Sequence, residues 1–597
     1  MRIPCAEIHR TRCAVKILFF APHAAIWVHA FPEALIAETL AQSGHAIVYV
    51  SCGEVLQQVC IPMNAFGLDH LSPVDARRKI CRLCGEQKRL LRQEFGFPGC
   101  DLADLLEPAD RIQAQEMVDA LSFEECMALT VDHVPVGTLA LYETILNRKK
   151  TGIEFDASEQ TEYRAWLRGA VTTVIAGTRL FEREQPDCMA VYNSFYSVNH
   201  VMCRLASVRG IPHYFLHAGG NLSRRLQTLM VGREEAYRYL RGLVDRWPQF
   251  RDLPCAPDTL RDITNHFLVL FGGRSVFGYS PGASRESFDV RQRFGVRMDQ
   301  KIMVATMSSK DERVAAKAIG ILDDQPQMLF PQQVDWVKRL IKFVDGRPDL
   351  FLLIRVHPRD FPNKREAVKS EQAKDLETIF GQLPHNVRVN WPSDGVSLYD
   401  LANETSVFLN AWSSVGKEMS LLGLPVVIYA PALIYYPSEL NYVGSTEQEF
   451  VEKIDQALRD GWSLDRCRAT YRWLAVEYGH GLIDIADSYP AKDDGARSIV
   501  HRIAKRLERF VAPLYQQQQD CKRRAERLRA SQMVDSIFRS GAATPVDPKV
   551  WMPAPASTQD EEDRVLRSEL VRIGKTLFGS GTIHRRGTLA DRLAALG

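Results

Sequence analysis

At 597 residues the chain is too long for one hydrophobic core, so two or three domains are expected. Its 46% hydrophobic and 25% charged residues describe globular material, and a formal net charge of +2 offers nucleic acid no global attraction. No apolar run of about 18 residues could span a bilayer, and thirteen cysteines, mostly single and set in apolar segments, read as reduced cytoplasmic thiols.

The opening MRIPCAEIHRTRCAVKILFFAP holds too short an apolar run for a signal peptide and lacks a small-residue cleavage site. It merges into a predicted buried strand, Val15 to Ala21. A loop rich in His and aromatics follows, then a helix from Phe31 to Gln42, a stop at Gly44 and a strand from Ala46 to Ser51. This β-loop-α-β start predicts a doubly wound sheet. The strands Met189 to Tyr192 and His213 to His217, with the helix Val198 to Arg209 between them, continue it. Residues 73–184 read as a helical insertion within a first domain of residues 1–286. A single CxxC, Cys81 and Cys84, lies there without a second pair at matching spacing, so buried thiols on a helix face are preferred and no metal site is expected.

A second domain is expected over 287–496, with strands Lys301 to Thr306, Leu350 to Arg355, Val387 to Asn390, Ser406 to Leu409 and Pro425 to Tyr429. Helices are predicted over Gln333 to Asp345 and Val415 to Leu422. The fold class is therefore α/β: two Rossmann-like, doubly wound parallel sheets facing across a cleft, with a helical insertion and C-terminal helices. From Arg497 to Arg529 ten Lys/Arg stand against three Asp/Glu. This reads as one long basic helix, apolar along Ile499, Ile503, Leu507 and Phe510 and kinked at Pro513. Two uses stay open for it, packing across the first domain or attraction to an anionic membrane surface. Basic C-terminal helices are assigned to 497–535, and 536–597, rich in Pro, Ala and Thr, reads as a linker and partly disordered tail with a helix over Glu561 to Leu577.

Candidate chemistry gathers where strands end. The strand LFLLIR breaks at His357-Pro358, which places Arg355 and His357 where a donor or cation would stabilise a leaving phosphate. The bland alternative is a strand-end histidine held by local hydrogen bonds. Ser413 and Ser414 stand at the mouth of the helix that carries Glu418, as phosphate contacts or as simple caps. Ser308, Ser309 and the weaker Lys310 follow the first strand of the second domain, where a turn of small residues can form an anion nest. On the first domain His23, His29 and Glu33 flank the first strand-to-helix loop, and Asp132 and His133 are rival bases. Asn193, His217, Gly219 and Gly220 follow first-domain strands and are cleft or acceptor candidates, with turn glycines as the bland reading.

The segments DLFLLIRVHP and LNAWSSVGKEMSLLGLP, in that order, resemble the nucleotide-sugar half of a GT-B glycosyltransferase. Their HP and SS elements look closest to bacterial capsule and surface-polysaccharide transferases of the sialyl, Kdo and teichoic-acid types. The resemblance implies that His357 contacts the nucleotide phosphate and that Glu418 reaches the ribose hydroxyls. It implies a nucleotide-sugar donor, a glycan or lipid-linked acceptor, metal-independent transfer without a cofactor, and a cytoplasmic enzyme that can sit peripherally on the inner leaflet. The acid–base motif of the sialyl type has its literal match at Asp493-Asp494-Gly495, in the second domain rather than the first, so no base is identified by motif. A glycerophosphotransferase or sugar-nucleotide epimerase on the same fold, and a non-catalytic scaffold of an assembly complex, remain the alternatives.

Overall fold

The computed structural model describes residues 14–273, 278–284, 288–322, 328–363, 367–489, 514–579 and 585–597. Its strands are β1 Lys16–Phe20, β2 Ala46–Ser51, β3 Gly99–Asp101, β4 Cys188–Tyr192, β5 His213–Ala218, β6 Thr228–Arg233, β7 Lys301–Thr306, β8 Leu350–Arg355, β9 Val387–Asn390, β10 Thr405–Asn410, β11 Val426–Ile428, β12 Tyr442–Val443 and β13 Ile483–Asp484. The helices used below are α1 Trp27–Gln42, α2 Val74–Phe95, α3 Leu141–Arg148, α4 Ala157–Glu184, α5 Ser197–Val208, α6 Ala236–Arg246, α7 Pro257–Phe271, α8 Asp311–Ala318, α9 Gln333–Asp345, α10 Val415–Leu421, α11 Leu464–Ala475, α12 Tyr515–Arg523, α13 Ser531–Ser540, α14 Gln559–Phe578 and α15 Leu589–Ala594.

Two mixed α/β layers result. The first sheet has the order β13-β6-β5-β4-β1-β2-β3, the second β12-β11-β10-β7-β8-β9. In the second every pairing is parallel. In the first, β3 through β5 are parallel, while β6 runs antiparallel to β5 and β13 antiparallel to β6. Helices cover both faces, which is why the central strands are continuously apolar: all six residues of β8, LFLLIR, are buried. The strand order reverses beside β1 and β4 in one sheet and beside β7 and β10 in the other. Crevices open at the carboxyl ends of those strands.

Residues 73–184 are largely helical, and Gly99–Asp101 within them adds a strand to the edge of the first sheet. Three other expectations need correction. The expected boundaries at 286 and 496 do not separate the layers. Ile483–Asp484 returns to the first sheet, and α7 packs against α11 and α14 through Phe267, Trp473 and Leu570 in one core. The basic segment 497–529 is not one helix in its described part. Helix α12 ends at Arg523, and Arg524 turns away from it to stack on Phe95 and pair with Glu38. The residues Arg497 to Pro513, with Ile499, Ile503, Leu507 and Phe510, and the triplet Asp493-Asp494-Gly495 lie outside the described residues. Finally, 536–597 is a folded strap in its described part. Val546 is fully buried, α13 lies on α1, and α14 and α15 pack together under α7. Its Pro and Ala are spent on turns between docked helices.

The two layers meet through α3 and α8. Lys149, at the left-handed end of α3, is buried, and its ammonium donates to the carbonyls of Arg359 (2.6 Å), Val368 (2.7 Å) and Phe361 (3.3 Å). Lys150 pairs with Glu371 beside it.

Candidate active site

At the carboxyl ends of β8 and β10 a cavity of about 130 Å³ is lined by Arg355, His357 and Pro358, by Ser413, Ser414 and Glu418, and by Tyr279, Ser280 and Tyr399. Six residues picked from the sequence therefore share one wall. A void near 150 Å³ takes one benzene-sized ring, so this space suits a phosphoryl group or a ribose rather than a whole nucleotide sugar.

Arg355 is the cation of the site. Its guanidinium donates to Asn390 Oδ1, to the Val396 carbonyl (3.0 Å) and to Ser280 Oγ (3.3 Å). Burial pulls its pKa down to about 10, which leaves it charged at neutral pH. His357 is a neutral donor instead of a cation. Its Nδ1 accepts the Arg359 amide (3.2 Å), so the ring proton sits on Nε2. Burial, then the neighbouring Arg359, Arg355 and Lys149 charges, hold its pKa near about 3. Arg359 itself is locked to buried Asp311 at 2.7 Å and donates to the Tyr279 hydroxyl.

The serines behave differently from plain caps. Ser414 is the N-cap residue of α10 but its side chain caps nothing; its hydroxyl donates forward to Glu418 Oε1 at 2.6 Å. Ser413 Oγ donates to Asn410 Oδ1 at 2.9 Å. The second oxygen of Glu418 accepts from Tyr399 Oη at 3.0 Å, and burial raises its pKa. Lys417 turns to Glu477 and lies 5.2 Å from the Tyr478 ring centroid.

Ser308 and Ser309 are not brought to the cavity wall; Thr306 and Met307 are. Ser308 is a structural knot, with its amide and carbonyl bound by Gln333, a second bond from Gln372, and its hydroxyl accepting the Trp412 amide. Sequence reasoning missed Asn390, Tyr399, Tyr279 and Ser280. The first ends strand β9 beside Arg355, a position that its alternation alone would have flagged.

The carboxyl ends of β1, β4 and β5 gather a second cluster. His23 Nε2 meets Asn199 Oδ1 at 3.2 Å, while Asn199 Nδ2 donates to the carbonyls of Tyr192 and Asn193. The amide orientation makes His23 the Nε2–H donor and leaves Nδ1 as a buried lone pair with no partner. His29 stacks on Tyr192 at 4.3 Å, and Tyr192 neighbours His217 at 5.9 Å. Burial lowers both, His29 to about 3 with repulsion from His217, His23 and Arg225 added, and His217 to about 4 with Arg225 added. Buried Glu33, whose Oε1 has no partner, is raised well above the carboxylate range. It sits inside the cluster instead of decorating a helix N-terminus.

Asn193 adopts φ of 58° and binds the Phe195 amide, so its side chain shapes a turn. Gly219 and Gly220 are explained by packing. A Cβ on Gly219 would lie 2.1 Å from Thr228 Oγ1, and one on Gly220 2.9 Å from the Tyr478 ring. Asp132 and His133 are not in this cluster. They form a tight turn, and Asp132 is held at 2.6 Å by Arg209, just past the end of α5, at the opposite edge of the sheet from the strand carboxyl ends. Among the described residues no group of His, Cys, Asp and Glu is arranged to hold a metal ion. Cys81 and Cys84 share a small apolar cavity with Cys52 and Cys60, and burial raises all four thiols.

No family model and no curated protein matches the chain. Among solved structures, a beta Kdo 2,4 transferase, KpsC of Thermosulfurimonas dismutans, is 15% identical over 48% of this chain and 80% of its own, with a TM-score of 0.29. The glycosyltransferase SnogD of Streptomyces nogalater is 11% identical over 78% and 94%, with a TM-score of 0.23. A UDP-N-acetylglucosamine 2-epimerase (putative in its title) from Listeria monocytogenes is 9% identical over 78% and 93%, with a TM-score of 0.25. At such identities and scores these likenesses assign no activity.

Proposed function

We propose that the chain is a GT-B-type glycosyltransferase that moves a sugar from a nucleotide-sugar donor to a glycan or lipid-linked acceptor of a cell-surface polysaccharide such as capsule or lipopolysaccharide. The observation that carries this reading is the convergence of Arg355, His357, Ser413, Ser414 and Glu418 on one cavity at a strand-order reversal. In this reading Arg355 and the Nε2–H of His357 neutralise the departing phosphate, and Glu418, fixed by Ser414 and Tyr399, takes the ribose hydroxyls. The serine protons point inward to Asn410 and Glu418, so binding a phosphate requires their hydroxyls to rotate. His23 and His29 supply the acceptor's base. Their low basicity would rise with an anionic substrate group close by, since a neighbouring negative charge favours the imidazolium.

The test is a melting-temperature series with CMP, CDP, UDP and GDP, because binding to the native state alone raises stability with ligand concentration. A shift with one nucleotide and none with the others is expected. A chain unmoved by all four is not a nucleotide-sugar enzyme. Sugar-nucleotide interconversion without acceptor would replace the transfer reading by the epimerase one.

A further inference from the structure

A groove of about 950 Å³ runs along α5, between the first layer and the turn beyond α8, and the reading above leaves it without a role. Its lining carries five arginines and two glutamates, an excess of three positive charges. The glutamates are already engaged. Glu234 pairs with Arg238, and Glu235 accepts the Tyr237 (2.6 Å) and Arg238 (2.8 Å) amides at the start of α6. Among the described residues Arg204, Arg233 and Arg241 have no carboxylate within salt-bridge range. Both Arg204 and Arg233 lie close enough to His213 to disfavour its protonation.

The second layer contributes the opposite wall. Arg313 donates to the Leu433 carbonyl at 3.1 Å, while its Nε is buried without an acceptor. An aromatic end is provided by Tyr237, stacked on Tyr435 with centroids 4.8 Å apart and with Arg241 over Tyr435. Arg313 also lies 5.9 Å from the ring of Trp412, the residue before Ser413. The groove therefore adjoins the candidate donor cavity without being part of it.

We propose that this groove is a second ligand site, selective for a diphosphate-bearing organic molecule. Unpaired guanidiniums present forked N–H donors that suit phosphate oxygens. The excess of three charges matches a diphosphate better than a singly charged carboxylate. The volume lies at the upper end of ordinary small-molecule sites and exceeds what a bare ion would fill. Since both layers supply cations, an occupant ties the layers together.

Calorimetric titration of the full chain with sodium pyrophosphate, at low and at raised salt, tests this. Two binding events are expected in the wild type, one here and one in the donor cavity. The doubly reversed variant Arg204→Glu/Arg241→Glu, altered at two exposed positions, should lose the salt-sensitive event by at least about tenfold. It should keep the melting shift produced by the donor nucleotide. If the glycosyltransferase reading is wrong, a single pyrophosphate event remains and the variant still removes it. Tighter binding of farnesyl diphosphate than of pyrophosphate would assign the site to a lipid carrier, and equal binding to a soluble ester; either supports diphosphate recognition. Unchanged pyrophosphate binding in the variant, or galacturonate binding as tightly as pyrophosphate, would overturn it.

Discussion

His357 shows how a single hydrogen bond fixes a chemical role. Because Nδ1 accepts the Arg359 amide, the ring can offer only Nε2–H, and because burial among cations holds it neutral, its task does not depend on titration near pH 7. We expect His357→Ala to lower turnover about 10²–10³-fold, the usual effect of losing one preorganised donor, with an unchanged melting temperature. Wild-type turnover in the purified variant would remove His357 from the site. Ser413 and Ser414 make a different claim, because their protons serve Asn410 and Glu418. Ser413→Ala/Ser414→Ala should weaken a nucleoside diphosphate more than the bare nucleoside, read by competitive titration. Equal weakening of both would mean that the hydroxyls only position Glu418.

At the scale of elements, the C-terminal strap carries the clearest consequence. Trp27 Nε1 donates to Asp520 at 2.8 Å, His45 meets Asp535 at 2.8 Å, and Phe538 stacks near Tyr214 at 4.3 Å. Val534 and Ile537 are fully buried against the first layer. Ending the chain at residue 496 should therefore give a protein that melts lower and elutes as aggregate, because fully burying each such side chain contributes about 1.5–3 kcal/mol. A truncated protein that stays monodisperse, keeps its melting temperature and merely stops sedimenting with anionic vesicles would favour the membrane use of 497–529. The strap also marks where sequence reading ran out. Strands such as β7 and β8 were legible because both faces are buried and their ends are punctuated by turn residues. The cavity at the ends of β8 and β10 was legible because HP and SS each sit at a strand end. Helix α13 does carry a helical period, Met533, Val534, Ile537 and Phe538, which the assignment of 536–597 to a linker cut through, whereas the segment around Val546 carries none and only long-range packing orders it. The histidine cluster was half legible. His23 and His29 stand in one loop, but their partners Asn199, Tyr192 and His217 come from far along the chain.

The molecule as a whole stores charge-sensitive groups in its interior, and their signs set its response to pH. His23, His200 and His266 are buried, with pKa values held down at about 3, about 4 and about 3, chiefly by desolvation. Their stabilisation is complete above the unfolded value near 6.5. It is lost as pH falls toward those folded values, because the unfolded chain then binds more protons. Glu143, raised to about 7 by burial, acts oppositely, with stability present below about 4.5 and lost as pH rises through 7. His29, His213, His217 and His357 are also strongly lowered, and Glu33, Glu235 and Asp360 also strongly raised, by burial. Seven histidines therefore outweigh four carboxyls between pH 4.5 and 6.5, and stability should climb with pH there, by about 1.4 kcal/mol per pH unit for each net proton. A melting temperature that is flat from pH 5 to 6.5 would contradict this.

Lys149 decides how the two layers hold together. Its ammonium satisfies three carbonyls of the second layer from a helix of the first, fully buried at Arg359 and partly buried at Phe361 and Val368. Lys149→Met keeps the length of the stem and removes every one of these donors. Leaving buried acceptors unmatched costs on the order of 1–3 kcal/mol each, so we expect a loss of about 3 kcal/mol after local relaxation. The loss should appear first as separation of the layers rather than melting within one. α3 and α8 share the contact with Lys149, and α8 carries Asp311, the partner of the Arg359 whose amide fixes His357. Small-angle scattering should therefore report a larger radius of gyration for the variant, and the nucleotide that shifts the wild-type melting temperature should bind it more weakly. If scattering and nucleotide affinity both match the wild type, the strap alone holds the layers and Lys149 is only a local fastening.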